Sequence, residues 1–243
     1  YMIQAAEKTF ATFELTIRNP GGHSSLPRPD NAIYELATVL KNIEAYTLPT
    51  QNNDITRRYF EKSAAVTAAP VGDAMRRFSA DPHDEEALAV LSQYPEQNSV
   101  TRTTCVATML SAGHAENALP QSATATINCR IFPGVAVKDV QAKLFEVGRN
   151  DTLEIESSGE PVSSPASPIN EEVNAAVANA VHNQYPDIPI IPYMAPYGTD
   201  GKVMRQAGLP TYGVMGLFFR PEDEFSHGLN ERVQVDSFFG ALE

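Results

Sequence analysis

The chain has 243 residues, 42% of them hydrophobic, which is enough for one large or two modest folded units and too much for a disordered chain. Thirty acidic residues against 18 basic ones leave a net charge of −12, a sign that repels phosphate backbones and excludes nucleic acid as a partner. No apolar run approaches the roughly 18 residues of a membrane span, so no membrane partner is expected either.

In chain order, the first clear element covers residues 10–19. Phe13, Leu15 and Ile17 alternate with Thr12, Glu14, Thr16 and Arg18, the period of two of a half-buried strand. Pro20-Gly21-Gly22 breaks it. Asp30 is then placed to cap a helix in which Ile33, Leu36, Ala37, Leu40 and Ile43 recur at helical spacing, and Pro49 ends that element. Residues 50–98 are charge-rich, with helical patches at 54–66, 72–79 and 84–93 separated by Pro70, Pro82 and Pro95. They read as a helical insertion. Residues 103–111 and 123–132 are rich in β-branched residues and read as strands, joined by a long polar link. A helix over 137–147 and a strand over 153–157 follow. Without the insertion the order is βαββαβ, the ferredoxin-like pattern of an antiparallel sheet with two helices on one face.

Residues 157–169 are rich in serine and proline and read as a linker. Beyond them come a helix at 171–184, a strand at 188–192, a helix at 199–207 and a buried strand at 211–215. This α/β rhythm is too short for a complete doubly wound domain. The fold class is therefore α+β, a ferredoxin-like unit with a helical insertion plus an incomplete α/β piece. The chain opens on Tyr1 without a methionine and stops after Phe238-Phe239-Gly240-Ala241-Leu242, so it reads as an internal piece of a longer protein. Cys105 and Cys129 lie in apolar segments and read as two buried small hydrophobes. A bridge between neighbouring strands cannot be argued from their spacing.

Few residues carry chemistry. His227 precedes Gly228 in a loop with Glu222, Asp223, Glu224 and Glu231. Imidazole is a common metal ligand, but one histidine is not a metal site, and a surface histidine in an acidic loop fits as well. Asp200 follows Gly198-Thr199 and reads as a helix cap or as a residue lining a site. His23 stands between Gly22 and Ser24-Ser25, where the glycines let the backbone turn and project the ring. Adjacent Ser and His seldom reach productive geometry, so a serine triad is rejected. Arg130 ends a strand, as a clamp for a carboxylate or as an exposed edge charge. Asn117 can donate to a carbonyl or an oxyanion, or shape its turn. His83, His114 and His182 read as surface or capping residues.

Five segments in order resemble one family: Asn19-Pro20-Gly21-Gly22-His23-Ser24-Ser25, Asn117-Ala118-Leu119-Pro120, Asn128 to Gly134, Gly198-Thr199-Asp200 and His227-Gly228. Together they resemble the aminoacylase/carboxypeptidase family of di-zinc metallopeptidases, in its carboxypeptidase-S-like or N-acyl-amino-acid-hydrolase branch. The resemblance implies a lid that also dimerises over residues 8–158, with the insertion at 50–98. It implies a returning part of the zinc-hydrolase catalytic domain over 159–243, and a hinge over 1–7. By motif match, His227 is the last zinc ligand. His23 and Asn117 reach the active site of the second subunit of a homodimer, Arg130 binds the substrate carboxylate, and Gly198, Thr199 and Asp200 line the site. The substrate implied is a peptide or an N-acyl amino acid. The family's His-x-Asp motif, bridging Asp and catalytic Glu-Glu pair have no counterpart in this chain, so the chain alone is expected neither to hold two zinc ions nor to hydrolyse a substrate. A non-catalytic dimerisation and binding module is the alternative.

Overall fold

A computed structural model describes residues 1–218 and 228–242. The central sheet is four-stranded. Its strands β2 (Thr9–Arg18), β4 (Thr104–Ala112), β6 (Ser122–Ile131) and β7 (Glu154–Ser158) lie in the order β4-β6-β2-β7, every neighbouring pair antiparallel. Helices α1 (Ala32–Ala45) and α6 (Val137–Gly148) cover one face. The expected ferredoxin-like topology is thus present. Its cause is visible in β6, where Ala123, Ala125, Ile127, Cys129 and Ile131 are buried against the helices while every alternate residue is half-exposed.

A second, smaller sheet pairs β1 (Met2–Glu7) with β8 (Ile191–Ala195) in parallel. Residues 1–7 were expected as a hinge, yet they are mostly strand, and Lys8 alone separates β1 from β2. The insertion forms α2 (Asp54–Ala64), α3 (Val71–Ala80), α4 (Glu85–Leu91) and α5 (Pro95–Thr101). These helices share a core with the small sheet: Tyr59, Phe60, Phe78 and Leu91 pack with Ala5, Ala6, Ile191 and Met194. Helix α5 was not anticipated, because Pro95 reads as a breaker. It is in fact the first helical residue, where a missing N–H costs nothing.

Several expectations are corrected. Asn31, not Asp30, caps α1, accepting from the Ile33 N–H at 2.9 Å. Asp30 instead takes both ends of Arg28, at 3.0 and 2.8 Å, and the Asn19 amide at 2.9 Å. Cys105 and Cys129 are joined in a disulfide across β4 and β6, where they are register partners. The polar link between β4 and β6 contains a short strand, β5 (Ala118–Leu119), paired with β3 (Gly22–His23). The strand expected at 188–192 lies at Ile191–Ala195. Residues 211–215 make a single bridge, Gly213 to Gln4, and not a strand, and Val214 and Met215 are exposed.

The expected linker is docked. Ser167 N–H donates to the Ala5 carbonyl at 2.7 Å, and its hydroxyl exchanges hydrogen bonds of 2.8 Å with the Thr211 backbone. Helices α7 (Glu171–His182), α8 (Gly201–Gln206) and α9 (Val235–Gly240) follow among the described residues.

Candidate functional site

The predicted residues fall into two groups at opposite ends of the central sheet. At one end, β2 and β6 run past Arg18 and Ser122 into the β3–β5 ribbon. Asn19 N–H donates to the Gln121 carbonyl at 2.9 Å and Ser24 N–H to the Asn117 carbonyl at 3.0 Å, so His23 and Asn117 stand side by side and exposed. Gly21 makes the turn possible. Its φ is +75°, and a Cβ there would meet Gln121 Cγ at 2.8 Å. Asn19, Asp30 and Arg28 form a network beneath the turn, and the Arg28 guanidinium holds Asp30 down to about 2.

The His23 ring is held through its Nδ1. Its Nδ1 accepts the backbone N–H of Ser25 at 3.2 Å and lies 2.7 Å from the Ser25 hydroxyl. A neutral ring whose Nδ1 accepts carries its proton on Nε2, so the outward nitrogen is a donor. The serine holds the histidine, rather than the histidine activating the serine.

At the other end, Arg130 lies opposite Phe10 on β2 and Thr104 on β4. Its guanidinium sits 4.6 Å from the centre of the Phe10 ring. Among the described residues no acidic side chain pairs with it, and burial alone lowers its pKa. A flat, stacked, unpaired guanidinium is suited to take a carboxylate in bidentate fashion. Measured along β6, with about 3.3 Å per residue, Arg130 and the ribbon are separated by roughly 26 Å.

The Gly198-Thr199-Asp200 turn lies at the Arg130 end. Thr199 donates its N–H to Glu7 at the end of β1, and its hydroxyl accepts from Gln4 at 3.2 Å. Asp200 precedes α8 but its side chain makes no capping bond, so the capping explanation does not hold and the carboxylate is exposed. His227 lies outside the described residues. Among the described residues no three His, Cys, Asp or Glu side chains form a group that could hold a metal, so they do not by themselves fit a zinc site.

Three residues that matter here were not singled out by the sequence. Glu7 and Arg205 form an ion pair at 2.6 Å with side chains 2% and 1% exposed, and Arg205 also donates to the Thr211 carbonyl at 3.2 Å. Gly201 allows that approach, since a Cβ there would meet the guanidinium at 2.8 Å. Lys8 donates to the Ser99 carbonyl at 2.7 Å and to the Thr104 hydroxyl at 3.3 Å, and burial, then the charge of Arg130, pushes its pKa down to about 7. The available signal was Glu7-Lys8 itself, two adjacent charges between a strand and a strand.

The chain matches the peptidase dimerisation domain of the M20 peptidases over residues 5–155. The chain belongs to this family. Curated relatives of the M20 domain described here include the N-fatty-acyl-amino acid synthase/hydrolase PM20D1 of Xenopus tropicalis, 25% identical over 97% of this chain and 46% of its own length. Another is a probable carboxypeptidase S-like protein of Dictyostelium discoideum, 24% identical over 96% of this chain and 44% of its own length. The chain thus spans about half the length of the curated relatives it matches. Among solved structures, the M20 family metallo-carboxypeptidase Sso-CP2 of Sulfolobus solfataricus superposes with a TM-score of 0.59 at 18% identity. That match covers 99% of this chain and 57% of the other. A tripeptidase of Staphylococcus aureus gives 0.56 at 16%, over 99% and 50%. These likenesses show the α+β fold of M20 proteins.

Proposed function

We propose that the chain is the lid and dimerisation unit, with a returning catalytic segment, of a metal-dependent hydrolase that cleaves an amide bond beside a free carboxylate. The substrate is a peptide or an N-acyl amino acid, in keeping with the carboxypeptidase and fatty-acyl-amino acid activities named for its relatives. Residues 8–158 form the lid, carrying the insertion at 50–98. Residues 159–243 belong to the catalytic domain, and 1–7 lead in from it.

The observation that carries this reading is the separation of the two groups. Arg130 and the Gly198-Thr199-Asp200 turn share one end of the sheet, while His23 and Asn117 stand at the other. One protomer cannot bring them to one substrate, and a homodimer joined through the lid can. Arg130 then takes the substrate carboxylate. His23, through Nε2–H, and Asn117, through its amide, donate to the oxygen that gains charge in the partner's site. Zinc is the metal proposed, with two ions in the parent protein and His227 as one ligand. The other ligands and the water-activating base lie outside this chain, and the chain alone is inactive.

The test is His23→Ala in the full-length parent. A donor used only in the transition state should lower kcat by about 100-fold or more while KM changes little. Unchanged kcat would remove the proposed role.

A further inference from the structure

A cavity of about 260 Å³ lies on the helix side of the central sheet, between the ends of α1 and α6 and the first residues of β4. Its walls are of two kinds. Ile43, Val140, Leu144 and Val147 make one side aliphatic. Arg102 stands on the other. Among the described residues this guanidinium reaches only the Thr101 hydroxyl at 3.3 Å and the Leu48 carbonyl at 3.4 Å, both long. Among the described residues no acidic side chain lies within ion-pair distance of it, and burial is what lowers its pKa. In a chain of net charge −12, a half-buried cation without a carboxylate partner is out of keeping with its surroundings. The second cation nearby, Lys143, is already paired with Glu146. Partly desolvated charge beside aliphatic surface is costly until an anion meets it.

We propose that this cavity binds a short aliphatic carboxylate, its head group paired with Arg102 and its chain laid against Ile43, Val140, Leu144 and Val147. The volume falls just below the usual range of about 300–1,000 Å³ for drug-sized ligands, which favours a small molecule over a peptide. A single guanidinium beside aliphatic walls suits a carboxylate with a hydrocarbon tail rather than a phosphate, which would be left next to apolar surface. The site is separate from the one built on Arg130 and His23 and does not depend on the reading given to them.

Sodium octanoate is the probe. Titrated into this chain at pH 7, it should saturate at one equivalent by calorimetry. It should shift the methyl resonances of Val140, Leu144 and Val147 but not those of Val177 and Val181, which line a different apolar cavity. Arg102→Gln should weaken it about tenfold or more without changing the melting temperature, and octan-1-ol should bind the wild type about tenfold more weakly than octanoate. No saturation in the millimolar range, equal affinity in Arg102→Gln, or shifts centred on Val177 and Val181 would overturn the proposal. The comparison of octanoate with octan-1-ol on the wild type decides the charge question even if the variant fails to fold.

Discussion

Lys8 is only 1% exposed and carries an amine whose pKa is down to about 7. The unfolded chain keeps that proton until about pH 10.5, its ordinary value. Between those two pH values the unfolded state binds more protons than the folded one, so the contribution of Lys8 to stability improves as pH rises through the window. Its cost is full below pH 7. The shift corresponds to about 5 kcal/mol at most. Denaturation midpoints should therefore rise between pH 7 and 10 in the wild type, and Lys8→Met should flatten the rise. A wild-type profile no steeper than that of Lys8→Met would refute the assignment. The Glu7–Arg205 pair makes a different prediction. Removing one partner, as in Glu7→Leu, leaves a buried charge and should cost about 3–5 kcal/mol in urea unfolding. Glu7→Leu with Arg205→Met should recover most of that loss. Simple additivity of the two would mean the ion pair is not what holds the turn. The sequence offered only the adjacent charges Glu7-Lys8, because a charge in a sequence does not announce its burial. His23 could be picked out, since glycines flank it, but its tautomer depends on Ser25 geometry that spacing does not encode.

Elements with one buried face were readable and elements at the rim were not. In β2 and β6 the core imposes alternation, so residue spacing alone locates them. β4 is an edge strand, exposed along most of its length, and its β-branched composition gave its place but no face. The stretch at 211–215 misled because only Gly213 pairs and only Tyr212 packs on the core, while Val214 and Met215 are exposed. The cysteines misled as well. Both lie in apolar strands, and only register makes Cys105 and Cys129 neighbours. The bridge ties the exposed edge strand to the centre of the sheet, closing a loop with a separation of 24 residues. Its loss should cost about 2–4 kcal/mol. Cys105→Ser with Cys129→Ser should lower the melting temperature, and thiol titration of the denatured wild-type protein should find no free thiol. Titration of two thiols in protein never exposed to reductant would contradict the pairing.

At the scale of the molecule, the family was legible from five short segments in order and the α+β architecture from hydrophobic spacing, while the placing of the insertion was not. Nothing in the composition of residues 50–98 says that their core lies with β1 and β8. The dimer proposed above needs an open surface, and β4 offers one. Met109 is 70% and Leu110 67% exposed on a strand with one free edge, the kind of edge that pairs with another chain. Met109→Lys with Leu110→Lys should convert a dimer, measured by light scattering, to a monomer with an unchanged circular dichroism spectrum. Persistence of the dimer would move the interface elsewhere on the lid.

The parallel pairing of β1 with β8 has a consequence for how this molecule is made. Tyr1 N–H donates to the carbonyl of Pro189, 188 residues away. During synthesis β1 emerges long before β8, its strand neighbour among the described residues, exists. The four-stranded sheet, whose contacts close earlier, is complete while β1 still waits unmatched. Its apolar residues, Ile3, Ala5 and Ala6, must be sheltered in the interval, and the helices of the insertion arrive in time to do so. The insertion thus covers a strand that is made well before the partner it pairs with.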